Sequence, residues 1–215
     1  MTGSVAPLFL SALALFVPLA AVLAAPSAQT QPRRYTLDPA ASQLKIHVGK
    51  SGVFGFAGHE HDVVAGTFRG SATFDPDRIA QSAVDLTFEA GALRVTGNGE
   101  PKGDAAEVQA AMIGAACLDV NRFPAIRFVS KTVAACGEAG RGGHDLSIVG
   151  ALTLHGVTRP LTIRVHVDVK GDTLEATGST TIRQTDFGMT PISKAGVVKV
   201  KDELALSWHI RGTAH

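Results

Sequence analysis

Residues 52–62 read Gly-Val-Phe-Gly-Phe-Ala-Gly-His-Glu-His-Asp and end in a dense polar tetrad. In an extended segment, residues two apart share a face, so His59 and His61 could turn both imidazoles toward one ion. Neutral imidazole ligates zinc or copper well, and Glu60, Asp62 or His155 could complete the set. Spacing fixes no third ligand, and the same residues would equally serve to cap a loop and bond to backbone at the rim of a fold. Gly52, Gly55 and Gly58 relieve the steric limits on φ, so this run can curl where a regular strand cannot. Phe54 and Phe56 set apolar rings beside the ionisable groups, which is the make-up of a pocket mouth.

Other chemistry is sparse. His155 lies in a turn before Gly156, with no Gly-x-Ser-x-Gly elbow to give it a nucleophile, so its expected role is to bond to backbone and fix the turn. His47, His166 and His209 fall on the polar faces of strands. The carboxylates are scattered and define no acid–base pair. No catalytic residue and no cofactor is assigned, and a non-enzymatic protein is expected. The aromatic residues on apolar faces are Phe54, Phe56, Phe68, Phe74, Phe88, Phe128 and Trp208. Most would pack a core. Phe54, Phe56, Phe68, Phe128 and Trp208 are the ones expected to line a hollow for an apolar chain. Such binding comes from burying methylenes, at about 0.8 kcal/mol each. Lys194, Lys199 and Lys201 sit near the last hairpin, available to an anionic head group or simply to solvent.

A chain of 215 residues, 45% hydrophobic and 18% charged, suits one globular domain with a sizeable core. Its net charge of +1 gives no footprint for nucleic acid, and no Lys/Arg run marks an anionic membrane surface. Residues 8–23 are almost wholly apolar and run into Ala24-Ala25-Pro26. The stretch is short for a spanning helix and reads as an export signal, residues 1–24, with Val22 and Ala24 before the cut. No Lys or Arg precedes it, contrary to the usual pattern, and an uncleaved anchor is the competing reading. Residues 25–34 read as a flexible leader and residues 35–215 as the domain. No stable membrane span is expected after cleavage. Cys117 and Cys136 could form one disulfide in an exported protein or stay as two small buried thiols. A homodimer is one of the oligomeric states left open.

The elements follow from alternation. Residues 35–39 read as a short opening strand closed by a turn. Leu44, Ile46 and Val48 then alternate with Lys45, His47 and Gly49. Residues 66–75 follow, then Val84, Leu86 and Phe88, with residues 93–95 as an extension. Breakers fill residues 97–103, and Asp104 with Glu107 can cap an Ala-rich helix over residues 105–116. From residue 125 on, nearly everything is strand. Ile126, Phe128, Ser130 and Thr132 share one face. Leu161, Ile163, Val165, Val167 and Val169 form the clearest alternation, and Gly171-Asp172 makes a tight hairpin. Residues 174–183 carry small Ala176 and Gly178 on the apolar register, favouring free volume. Residues 197–200 and 204–210 close the chain on either side of Lys201-Asp202-Glu203. About eight antiparallel strands and one short helix give an all-β class. Closing the strands into a barrel removes their edges and leaves room for packed side chains or one small ligand.

Several segments resemble the YceI family of exported, lipocalin-like proteins. They are Tyr35-Thr36-Leu37-Asp38-Pro39; Gly70-Ser71-Ala72-Thr73-Phe74-Asp75; Leu118-Asp119-Val120 with residues 122–128; residues 150–160, Gly-Ala-Leu-Thr-Leu-His-Gly-Val-Thr-Arg-Pro; and residues 183–189, Arg-Gln-Thr-Asp-Phe-Gly-Met. The resemblance implies an extended antiparallel lipocalin-like β-barrel and a signal peptide. It also implies a tunnel that in some members holds a long polyisoprenoid or fatty-acyl chain. The expected partner is then an apolar-tailed small molecule, met in the bacterial periplasm. Gly58-His59-Glu60-His61-Asp62 marks a His-x-His variant of the pattern, with a metal-binding or stress-response module as the alternative.

Overall fold

Alternating apolar and polar residues give each strand one greasy face, and eight such strands join edge to edge into a closed antiparallel barrel. The computed structural model describes residues 32–51, 60–97, 104–137, 142–191, 193–194 and 198–215. The expected export signal and its cleavage point lie outside the described residues, as does most of the expected leader. Phe54, Phe56 and His59 lie outside them too. The order of elements is β1 (Arg33–Ser51), β2 (His61–Ala65), β3 (Phe68–Phe74), β4 (Ala83–Glu89), β5 (Leu93–Val95), α1 (Asp104–Ile113), β6 (Ala125–Ala135), β7 (His144–Leu154), β8 (Val157–Lys170), β9 (Thr173–Arg183), β10 (Ser193–Lys194) and β11 (Val198–Ala214). The wall runs β1-β3-β4-β6-β7-β8-β9-β11 and closes where β11 pairs with β1. There Tyr35 faces Ala214 and Ile46 faces Leu206. Beyond β3, the C-terminal half of β1 carries β2, and β2 carries β5.

Turn chemistry sets the register of the two tight hairpins. Between β7 and β8, His155 and Gly156 both take positive φ, 50° and 72°, as a type I′ turn requires. A Cβ on Gly156 would lie 2.4 Å from the Phe123 ring, so only glycine fits. The His155 Nδ1–H donates to the Phe187 carbonyl at 3.2 Å, and its ring stands edge-on to Phe123. Between β8 and β9, Gly171 alone takes positive φ. Arg33, opening β1, donates to the Gly171 carbonyl at 2.9 Å and pairs with Asp172. Strand β1 thus begins inside the expected leader.

Several expected boundaries move, each for a physical reason. Residues 35–39 do not end a strand: β1 runs on through an irregularity between Asp38 and Gln43. Ser42 Oγ fills the gap in the ladder by accepting the Arg211 N–H at 2.9 Å. Residues 93–95 do not extend β4, because a 3-10 turn at Ala90–Ala92 redirects the chain to pair with β2. A bulge between Ser130 and Thr132 reverses the phase of β6, so Thr132 is exposed and Val133 is buried. The strands expected over residues 197–200 and 204–210 are not separate: residues 198–210 are parts of the continuous β11. Cys117 and Cys136 do not pair; both are free thiols.

Helix α1 starts at Asp104 and ends at Ile113, short of the expected residue 116. Its place is fixed by one side chain. Gln109 Oε1 accepts the Val95 N–H at 2.9 Å, and Gln109 Nε2 donates to the Leu93 carbonyl at 2.9 Å. The amide imitates a neighbouring strand on the outer edge of β5, which would otherwise show open backbone groups. Substituting Gln109→Leu should cost about 1–3 kcal/mol, the range for stranded backbone groups. Amide exchange at Val95 should quicken at least tenfold; unchanged protection there would refute the strap.

On the outer wall His166 lies between Asp145, 2.7 Å from Nδ1, and Asp168, 3.4 Å from Nε2. The hydrogen bond to Asp145 raises the imidazole above its ordinary range, against a smaller opposing effect of burial. A raised folded-state value means the contact stabilises fully below about pH 6.5, the unfolded value, and fades as pH rises through the folded one. Proton NMR should find His166 titrating above about 6.5, and Asp145→Asn should bring it down.

Candidate ligand cavity

The inward side chains fill only part of the barrel. At the end carrying the β8–β9 hairpin, Tyr35, Phe74, Leu146, Val165, Val167 and Leu174 are all buried. The edge of His144 stands against the Phe74 ring there, with centroids 5.2 Å apart. Toward the opposite end, interleaved with buried Leu152, Leu154 and Ile182, the inward residues Leu44, Ile46, Val48, Leu161, Leu204 and Leu206 are only half-buried. They belong to the apolar face of a closed wall, so their uncovered surface looks into a hollow. That hollow is a cavity of about 280 Å³, lined along β9 from Leu174 to Gln184. Ten residues of strand span about 33 Å, or about 25 Å along the axis of a barrel with ordinary tilt. The volume is roughly twenty times what one ordered water needs.

The chemistry of the lining is nearly uniform. Among the described lining residues there is no Lys, Arg, Asp or Glu; the titratable ones are His61 and Cys117. Burial pushes the Cys117 thiol up, outweighing a backbone hydrogen bond from Leu118, so it stays neutral. An uncharged apolar wall gives water few partners and favours an apolar occupant.

Phe128 and Trp208 line the cavity. Phe68 is not among the lining residues. It packs on Phe88, with centroids 5.3 Å apart, in a second buried cluster with Leu37 and Ile210. Gly178 does not open free volume as its size had suggested. Its missing Cβ would lie 2.5 Å from the Trp208 ring, so the indole occupies that space. Trp208 faces Gly178 across the β11–β9 ladder, which puts the large ring opposite the one residue that can accept it.

His61 lines the cavity from β2, opposite Val48. Asp62 is out of phase with it: its carboxylate accepts from His47 Nδ1 at 2.8 Å and lies 3.6 Å from Lys45. The His47 bond holds the Asp62 carboxyl below its usual range. Glu60 lies 3.7 Å from His47 Nε2 on the same outer side. Among the described residues no group of three or more His, Cys, Asp or Glu side chains could hold a metal.

Lining residues that carried no expectation as site residues include Met112 from α1, Cys117, Gln184 and Met189. Gln184 was within reach of the alternation. It continues the even-numbered face Leu174, Ala176, Gly178, Thr180, Ile182 by one step. The other three come from the helix and from segments without strand periodicity, where phase gives no direction.

Residues 35–211 match the YceI-like domain family. A UPF0312 protein of Enterobacter sp. (strain 638) is 33% identical over 136 residues, which are 58% of this chain and 62% of that relative. The chain therefore spans less than two thirds of that relative's length. Among solved structures, Burkholderia cenocepacia BcnA superposes with a TM-score of 0.64 at 21% identity, covering 82% of this chain and 99% of that one. A polyisoprenoid binding domain from Saccharophagus degradans, implicated in plant cell wall breakdown, gives a TM-score of 0.60 at 12% identity, covering 84% and 98%. The Campylobacter jejuni YCEI protein gives 0.54 at 14% identity, covering 71% and 84%. With the closed eight-stranded wall and a family match over most of its length, this chain belongs to the YceI-like domain family.

Proposed function

We propose that the protein binds a long-chain amphiphile, of polyisoprenoid or fatty-acyl type, in the barrel, and carries or buffers it without transforming it. The observation behind this reading is the uncovered apolar interior: inward leucines and isoleucines half-buried within a closed wall, around a cavity of about 280 Å³. Each methylene moved from water into such a site is worth about 0.8 kcal/mol, so a tail of a dozen carbons outweighs the cost of association. The likeness to the Saccharophagus polyisoprenoid binding domain supports an elongated prenyl tail. The apolar run at residues 8–23 supports export and a periplasmic setting. Phe128 and Trp208 are the rings assigned to ligand contact, with Leu206 and Ile163 beside them in the lining.

Trp208 is the one tryptophan of the chain, so its fluorescence reports on the cavity alone. Protein purified from a periplasm should show, by native mass spectrometry, an added mass that organic extraction removes. Titration of the extracted protein with geranylgeraniol or hexadecanol should shift the Trp208 emission. Filling the hollow with Ile163→Phe and Leu206→Phe should weaken binding at least tenfold, the equivalent of about two methylenes, without lowering Tm. A bare chain from the native host, together with an unresponsive Trp208, would overturn the proposal.

A further inference from the structure

Gln184 is the anomaly in the lining. It is only 4% exposed, yet it borders the cavity at the end opposite the β8–β9 hairpin. Its backbone is held on both sides. The N–H donates to the Asp202 carbonyl at 2.9 Å, and its own carbonyl accepts from Phe187 and Met189. In the side chain, Nε2 donates to the Lys201 carbonyl at 2.8 Å, which fixes which way the amide faces. The Oε1 is left without a donor among the described residues. Buried polar atoms are nearly always paired, and an unpaired one in a wall of apolar groups is a place kept for something else.

We propose that Gln184 is the polar anchor of the cavity, its Oε1 accepting a hydrogen bond from an uncharged O–H or N–H at the polar end of the ligand. This rests on the reading of the hollow as an amphiphile site and narrows it. Of the deeper residues on the same β9 face, Leu174, Ala176 and Ile182 offer no hydrogen bond, and Thr180 offers a single hydroxyl. With the head held at Gln184, the tail lies toward the β8–β9 end of the cavity. A carboxylate or phosphate at that point would set its own lone pairs against Oε1. The described lining holds no Lys or Arg to offset burial of the charge, and its one imidazole, His61, stands on β2, separated from β9 by β1 and β11. The class selected is a long-chain alcohol or phenol rather than a fatty acid or a prenyl phosphate.

Three probes with one tail separate these ideas: geranylgeraniol, its methyl ether and geranylgeranyl phosphate, each titrated against Trp208 fluorescence. Wild type should bind the alcohol about five- to tenfold more tightly than the ether, the worth of one hydrogen bond, and more tightly than the phosphate. In Gln184→Met the alcohol and the ether should bind alike, with the ether's affinity kept. The wild-type comparison needs no variant, so a poorly folding Gln184→Met leaves the test intact. Equal binding of alcohol and ether by wild type would overturn the anchor while leaving the hollow as a tail site. A preference for the phosphate would do the same. No binding of any probe would overturn both readings together.

Discussion

Everything in this fold depends on the ladder between β1 and β11. These are the longest strands, of 19 and 17 residues, and they come from opposite ends of the domain. Without their pairing, the other strands form an open sheet with one greasy face turned to water. With it, every inward side chain shares one enclosed space and the barrel has no free edge in its wall. The ladder is also the contact of highest sequence separation, so it closes against the greatest loss of chain entropy. Arg33, gripping the β8–β9 hairpin from the start of β1, holds the same seam at the packed end.

The seam is imperfect where the interior requires it. At Asp38 to Gln43 the register slips, and the Ser42 hydroxyl takes over a backbone partner for Arg211. A second slip, between Ser130 and Thr132, turns β6 over so that Phe128 and Val133 both face inward although they differ in parity. Bulges of this kind let a strand bend around a barrel without giving up its core face. The Gly178–Trp208 pair solves a related problem, seating a large ring against a wall that would otherwise push it across the hollow.

Wherever local alternation decides the outcome, the sequence was readable. The β8 run of Leu161, Ile163, Val165 and Val167, the hairpin at Gly171 and the inward Phe128 and Trp208 all follow from period and turn chemistry. What escaped depends on partners far away in the chain. Lys201-Asp202-Glu203 has the composition of a loop. It is strand because Asp202 holds Thr185 through two hydrogen bonds and the Lys201 carbonyl receives the Gln184 amide. Residues 93–95 look continuous with β4 until Gln109 supplies a substitute strand at their far edge. The size of the hollow is the least legible quantity, since it is set by how eight strands close and not by any one of them.

The packing gradient along the axis has a consequence for traffic. In a sleeve stoppered at one end by Tyr35, Phe74 and Leu174, the proposed amphiphile would fill from the other. The amphiphile proposed above would slide in tail foremost and back out head foremost, with its polar end the part presented at the rim. Exchange would then turn on how firmly the barrel grips that polar end.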